Sequence, residues 1–307
     1  MLVVRLARTL LLGSLVMVNV DCTGESKHPT QVIAHRGASA YAPENTLAAF
    51  RLAAEMNAPW FELDCTLSQD GDVVVIHDDT LNRTTPLKGR VMRTPTNLMT
   101  EADAGSWFDD EFSNEKIPLL SETLDFAKDT IGVYIEIKNS DSDHRIEQDI
   151  LAMKDKDTAF NKKQLKKVLK QIEESESRNL ELTRKVIQLV RDRKMEKEIV
   201  VQSFSPIVCA VALIEAPELR TELLASSDKD KPEVWEEFQR WVQLLNAPGF
   251  NINKKLATPE FVENMHAQGR TVAVWTVNNE ADMRKFQEMN VDFIITDKPD
   301  IALEVLE

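Results

Sequence analysis

The stretch Trp60-Phe61-Glu62-Leu63-Asp64-Cys65-Thr66-Leu67-Ser68-Gln69-Asp70-Gly71-Asp72-Val73-Val74-Val75-Ile76-His77 places an apolar run, broken by two carboxylates, ahead of a second run that is mostly β-branched. β-Branched and aromatic residues suit a pleated surface, so Trp60–Thr66 and Asp72–His77 read as strands. The link from Ser68 to Gly71 is too short for a helical crossover, and the second strand must fold back as a hairpin. Asp70-Gly71 fits a two-residue type I′ turn, whose central positions both need positive φ. That turn sets Gln69 opposite Asp72 and therefore Asp64 opposite His77. Glu62, Asp64 and His77 then share one face, because side chains two apart on a strand, and those directly paired across it, project to the same side.

Outward from this hairpin, short apolar runs alternate with longer amphipathic stretches, the pattern of a parallel sheet covered by helices. The candidate parallel strands are Gln31–Ala34, Trp60–Thr66, Gly132–Lys138, Glu198–Ser203, Arg220–Ala225, Gly249–Asn253, Arg270–Thr276 and Asp292–Thr296. Eight is a number that closes a barrel. A chain of 307 residues, 43% of them hydrophobic, has room for one barrel of about 250 residues with insertions. The expected fold class is therefore α/β, a (β/α)8 TIM barrel over residues 31–307, with a small insertion domain after the second-strand hairpin. That insertion, Leu81 to Pro118, carries Trp107, Phe108 and Phe112 and should cap the mouth. A second excess segment, residues 141–179, is crowded with Lys, Glu and Gln at helical spacing and reads as a solvated helical excursion.

A formal net charge of -14 argues against a nucleic-acid partner and against tight adsorption to anionic lipid. Cys22, Cys65 and Cys209 are too widely spaced for a CxxC motif, and Cys65 and Cys209 read as small buried hydrophobes. Arg5 and Arg8 precede an apolar run from Leu10 to Val20, the layout of a signal peptide over residues 1–24 or, failing cleavage, of an N-terminal anchor. An exported protein, periplasmic or extracellular, is the expectation.

Barrel enzymes collect reactive groups at the C-terminal ends of their strands, so polar residues in otherwise apolar strand endings are informative. His35-Arg36-Gly37, Glu62-Leu63-Asp64, His77-Asp78, Glu136-Ile137-Lys138, Gln202-Ser203-Phe204, Trp275-Thr276 and Thr296-Asp297 all sit there. Glu62, Asp64 and Glu136 are hard oxygen ligands that would repel one another without a cation, and such a set favours Mg2+ or Ca2+, with Mn2+ also fitting. His35 and His77 titrate near neutral pH and suit general acid-base work. Arg36 and Lys138 are donors for phosphate oxygens. His28, His144 and His266 receive no role.

Taken in order, His35-Arg36-Gly37, Pro43-Glu44-Asn45-Thr46, Glu62-Leu63-Asp64 and Asp70-Gly71 leading to His77-Asp78-Asp79-Thr80-Leu81-Asn82-Arg83-Thr84-Thr85 resemble the signature of the glycerophosphodiester phosphodiesterase family. Glu136-Ile137-Lys138, Gln202-Ser203-Phe204, Val274-Trp275-Thr276-Val277-Asn278 and Thr296-Asp297-Lys298-Pro299 continue the match almost to the C-terminus. The resemblance implies one Mg2+ or Ca2+ on Glu62, Asp64 and Glu136, His35 and His77 as acid and base, Arg36 and Lys138 on phosphate, and Trp275 lining the mouth. It also implies that the 81–118 insertion covers the glycerol side of the site. The implied substrate is a small glycerophosphodiester, cleaved to sn-glycerol 3-phosphate and an alcohol. Two alternatives stand beside it: a lysophospholipase D-like activity using Trp107, Phe108 and Phe112 as an apolar path, and a silent barrel that binds glycerophosphodiesters without turnover. Oligomeric state is not legible.

Overall fold

The computed structural model describes residues 29–139, 143–154, 158–226 and 232–307. The expected leader over residues 1–24, with Cys22, lies outside these residues, as does His28. The chain enters β1 (Gln31–Ala34), crosses α1 (Leu47–Glu55) to β2 (Trp60–Leu67), and turns back into the short antiparallel β3 (Val73–Val75). The insertion follows with α2 (Thr96–Glu101), and then α3 (Leu120–Ala127) leads to β4 (Gly132–Ile137). Three helices, α4 (His144–Leu151), α5 (Lys162–Glu174) and α6 (Arg178–Arg193), precede β5 (Ile199–Ser203). Regular alternation resumes with α7 (Pro206–Glu215), β6 (Arg220–Ala225), α8 (Pro232–Leu245), β7 (Gly249–Asn253), α9 (Pro259–Ala267) and β8 (Thr271–Trp275). It ends with α10 (Glu280–Glu288), β9 (Phe293–Thr296) and α11 (Pro299–Leu306).

The eight parallel strands pair in the order β1-β2-β4-β5-β6-β7-β8-β9, and β9 pairs back with β1, so the barrel closes. Each expected parallel strand is present, with ends shifted by about a residue. Several αβ crossovers start as their sequences dictate: the Ser205 and Thr258 side chains accept from helix N–H groups, with Pro206 and Pro259 at the first helical turn.

Strand parity sorts the side chains. Phe61, Leu63 and Cys65 of β2, Val133, Ile135 and Ile137 of β4, and Ile199 and Val201 of β5 pack outward against Phe50, Leu124, Leu182 and Val186 of the helices. The alternate positions face the lumen, where Ile33, Tyr134, Val200, Ala273 and Ile295 form a plug. Glu62, Asp64, Glu136 and Gln202 share that inward parity nearer the C-terminal ends. Cys65 and Cys209 are free, fully buried thiols whose pKa burial pushes up, in keeping with packing roles.

The hairpin departs from expectation by one residue. Cys65 pairs with Val75 and Leu67 with Val73, and the Ser68 N–H bonds the Asp72 carbonyl at 2.9 Å. The loop thus has three residues, Gln69, Asp70 and Gly71, and only Gly71 takes the positive φ, at +84°. Asp64 therefore lies opposite Ile76, whose N–H bonds the Asp64 carbonyl at 3.0 Å, and not opposite His77. His77 lies beyond the end of β3, and there it lines the same cavity as Glu62 and Glu136. His77 thus meets Glu62 and Glu136 at one cavity, but not by the strand pairing on which a shared face was expected, since the observed register would by parity turn position 77 to the other side.

The insertion has its own small core, in which Leu81, Val91, Met99, Ala104 and Ile117 pack on Val74 and Ile76. In the 141–179 segment, α4 and α5 are more than a solvated excursion: Ile150, Leu151, Phe160, Val168 and Ile172 are buried in the main core. Arg240 of α8 ties the segment down, its Nη2 donating to the Leu151 and Lys154 carbonyls at 3.0 and 2.6 Å. Among the described residues no helix is long and apolar enough to cross a membrane.

Candidate active site

The turn after β1 is built around Gly37. Its φ is +82°, and a Cβ there would stand 2.6 Å from the Ala49 backbone, so a side chain has neither the conformation nor the space. Arg36 also has positive φ, +55°, which points its N–H at Glu62 Oε2, 2.9 Å away. His35 just before it bonds the Thr296 carbonyl through its own N–H at 2.8 Å. That pairing sets its ring beside Asp297: His35 Nδ1 lies 2.6 Å from Asp297 Oδ1. Ser39 Oγ and Asn278 Nδ2 donate to the same carboxylate at 3.1 and 2.5 Å. Against burial, these donors hold the Asp297 carboxyl below the usual carboxylate range.

Neighbouring parallel strands bring three carboxylates together, since Asp64 of β2 pairs directly with Glu136 of β4. Ligand oxygens of Glu62, Asp64 and Glu136 lie within 4.8 Å of one another, and the residues are only 2%, 1% and 8% exposed. Burial, with Asp64 and Glu136 beside it, pushes the Glu62 carboxyl well above its ordinary value, and burial and Asp64 raise Glu136. Asp64 is also buried, yet Lys138, Arg36 and His77 pull it down to about 2. Lys138 Nζ stands 2.7 Å from Glu136 Oε1 and 3.4 Å from Asp64 Oδ1, and Arg36 Nε 3.3 Å from Asp64 Oδ2. Asn45, at φ +59°, clamps Asp64 from both ends: its Nδ2 donates to Oδ2 at 2.8 Å and its Oδ1 accepts from the Asp64 N–H at 3.1 Å.

Three carboxylates against two cationic side chains leave excess negative charge in a buried place, and Asp64 Oδ1 has no hydrogen-bond partner. Hard oxygens, charge deficit and a spare acceptor are what a divalent cation satisfies, so the residues present fit one.

His77 closes the cavity from the hairpin side. Its Nδ1 lies 2.8 Å from Asp78 Oδ1, leaving Nε2 as the ring nitrogen with no carboxylate on it. Burial lowers the His77 pKa against the pull of Asp64. The cavity, about 100 Å3, is lined by the charged and titratable groups His35, Arg36, Glu62, His77, Glu136 and Lys138 and by Gln202, Phe204 and Trp275. Trp275 packs edge-on against Phe204 with ring centres 5.6 Å apart. Larger surface grooves, about 410 and 500 Å3, run between α8 and α9 and along the start of α6, and neither gathers such a set of groups. His266 pairs with Asp292 at 2.8 Å and His144 begins α4, both apart from the cavity.

Residues 35–168 and 148–301 match the model of the glycerophosphoryl diester phosphodiesterase family. The chain belongs to this family. It is 31% identical over 275 residues to YhdW of Bacillus subtilis, covering 89% of this chain and 96% of that one. It is 30% identical over 280 residues to the glycerophosphodiester phosphodiesterase of Caldanaerobacter subterraneus subsp. tengcongensis, covering 90% and 98%. Among solved structures, an Oleispira antarctica phosphodiesterase in complex with the product sn-glycerol-3-phosphate superposes with a TM-score of 0.70 at 26% identity, over 91% of this chain and 97% of that one. The glycerophosphodiester phosphodiesterase of Agrobacterium tumefaciens str. C58 gives 0.66 at 29% identity, over 90% and 99%.

In this member of the glycerophosphoryl diester phosphodiesterase family, all eight residues singled out from sequence, His35, Arg36, Glu62, Asp64, His77, Glu136, Lys138 and Trp275, meet at one mouth. The sequence does not mark the partners that support them. Asn45 and Glu44 were visible as part of a motif and Asp297 as a polar strand ending, but nothing local says that Asp297 meets His35, 262 positions away.

Proposed function

We propose that this chain hydrolyses glycerophosphodiesters, releasing sn-glycerol 3-phosphate and an alcohol, with one divalent cation, Mg2+ or Ca2+, held by Glu62, Asp64 and Glu136. The observation that carries this reading is the pair of carboxylate-anchored histidines that line one cavity with the carboxylate cluster: His35 on Asp297 and His77 on Asp78. Each carboxylate takes the Nδ1–H, fixes the ring tautomer and leaves Nε2 for proton transfer in the cavity. One histidine takes the proton of the attacking hydroxyl, and the other delivers a proton to the departing alcohol oxygen. Arg36 and Lys138 orient the phosphodiester by charge-assisted hydrogen bonds, while Trp275 and Phe204 wall off water. The cation, when bound, supplies Lewis-acid stabilisation of charge on the phosphoryl oxygens. The basic and apolar make-up of residues 1–24 supports export of the protein.

The test is release of glycerol 3-phosphate from glycerophosphocholine by the purified protein with Mg2+, with Ca2+ and with EDTA, read through a coupled dehydrogenase. Metal-dependent release that EDTA abolishes is the expected result. No release with any divalent ion, while lysophosphatidylcholine loses its headgroup, would overturn it in favour of an acylated substrate.

A further inference from the structure

A line of charged groups runs across the mouth from His77 to Arg36, with Arg83, the third residue of the insertion, at its centre. Arg83 Nε and Nη2 donate to Asp78 Oδ2 and Oδ1 at 2.8 and 2.9 Å, the same carboxylate that anchors the His77 ring. Its Nη1 and Nη2 donate to Glu44 Oε2 and Oε1, both at 2.8 Å. Glu44 in turn accepts from Arg36 Nη1 at 2.9 Å. One planar guanidinium therefore makes two forked contacts at once, gripping the supports of two groups, His77 and Arg36, that line the same cavity. Trp107 lies over it, 5.9 Å from ring centre to Arg83 Cζ, and is itself pinned by its Nε1–H on the Ala104 carbonyl at 2.8 Å.

The network does little for stability. The Arg83 side chain is 42% exposed, and ion pairs as open as this contribute little to folding. Geometry is what it supplies. Two carboxylates held by one rigid fork lose their torsional freedom, and the fork ties the start of the insertion to the β1–α1 loop. We propose that Arg83 is a positioning residue for this site: through Asp78 it fixes the ring orientation and tautomer of His77, and through Glu44 it fixes Arg36 against the phosphodiester. Lysine cannot replace it, because an ammonium is a point donor without the planar fork that engages both carboxylates bidentately. The inference rests on the functional reading above, in which His77 transfers a proton and Arg36 binds phosphate.

The experiment uses the full chain with the divalent ion that best supports the parent, comparing R83K, R83Q, D78N and the R83Q/D78N double variant. Both Arg83 variants are expected to lower kcat about 10- to 100-fold with unchanged melting temperature, R83K rescuing little. The double variant should lose less than the two single losses combined, because R83Q and D78N share the His77 arm of the network while the Arg36 arm is cut by R83Q alone. The 15N shifts of the His77 ring report the tautomer independently of turnover: Nδ1–H in the parent, a mixture of tautomers in R83Q. Parental kcat in R83K, additive losses in the double variant, or an undisturbed His77 ring in R83Q would each overturn the proposal. A parent without turnover would instead sink the functional reading, and the ring shifts would still decide the role of Arg83.

Discussion

The two ends of the barrel lumen both bury acidic residues, and they treat the charge in opposite ways. Near the N-terminal ends of the strands, Glu222 is fully buried and answered by one cation, with Arg220 Nε 2.5 Å from its Oε1. Arg220 Nη2 also donates to Thr271 Oγ1 at 2.5 Å and to the Pro248 carbonyl at 3.2 Å. The charges balance and the groups are locked by packing: a Cβ on Gly249 would stand 2.6 Å from the Glu222 carboxyl carbon. At the C-terminal mouth, Glu62, Asp64 and Glu136 outnumber Arg36 and Lys138, and they face a cavity. Acidity alone therefore marks nothing in this fold. A charge left deliberately unbalanced beside open space, and held there by positive-φ turns at Arg36, Gly37 and Asn45, distinguishes the working end from the structural one.

This contrast can be broken first at the mouth. E62Q keeps an acceptor for the Arg36 N–H but removes a charge, and is expected to lower kcat about 10^3-fold. Since the Glu62 carboxyl is held well above its ordinary value, chiefly by burial, its melting temperature should stay level or rise. Thermal unfolding of the metal-free protein beside steady-state kinetics would show both; a drop in stability with activity intact would reverse the assignment of the two ends.

The next largest effect belongs to the base. R220M strips Glu222 of its only cationic partner among the described residues and should cost about 3 kcal/mol in urea unfolding, with kcat of the folded protein unchanged. R220M/E222M should recover most of that loss, since well-packed apolar groups replace a buried pair at little net cost. Catalytic loss matching the stability loss would show that the two ends are coupled.

The smallest effect calibrates pH dependence that belongs to neither end. On α4, burial together with Asp143 and Glu237 raises Glu147 from 4.5 to about 7. A raised carboxyl holds its proton in the folded chain after the unfolded chain has released it. Its stability contribution is thus complete below pH 4.5 and lost as pH rises through about 7. With solvent screening at this half-buried position the change is about 1 kcal/mol. Denaturation of E147Q should show a flatter stability profile than the parent between these pH values, and identical profiles would place the raised value elsewhere.

Much of this was legible in the chain because it is local. Eight apolar strands with polar endings follow from side-chain alternation and from the need to bury one face of each amphipathic helix, and both leave a periodic mark on the sequence. Glu62 and Asp64 share a face because they are two residues apart on one strand, whatever the rest does. The position of His77 shows where locality ends. Asp70-Gly71 is compatible with a two- or a three-residue loop, and the choice depends on how β3 seats between β2 and the Pro118 carbonyl, which accepts from the Val75 N–H at 2.9 Å. Barrel closure, which makes the last strand a neighbour of the first, alone brings Asp297 to His35. Likewise, only the seating of the insertion over the β1–α1 loop brings Arg83 to Glu44. Sequence alone determined the strands, the inward parity and the chemical types at their ends, because short-range sterics and burial dictate them. Tertiary structure decided the partners that orient those groups, because each such contact joins segments that no local rule relates.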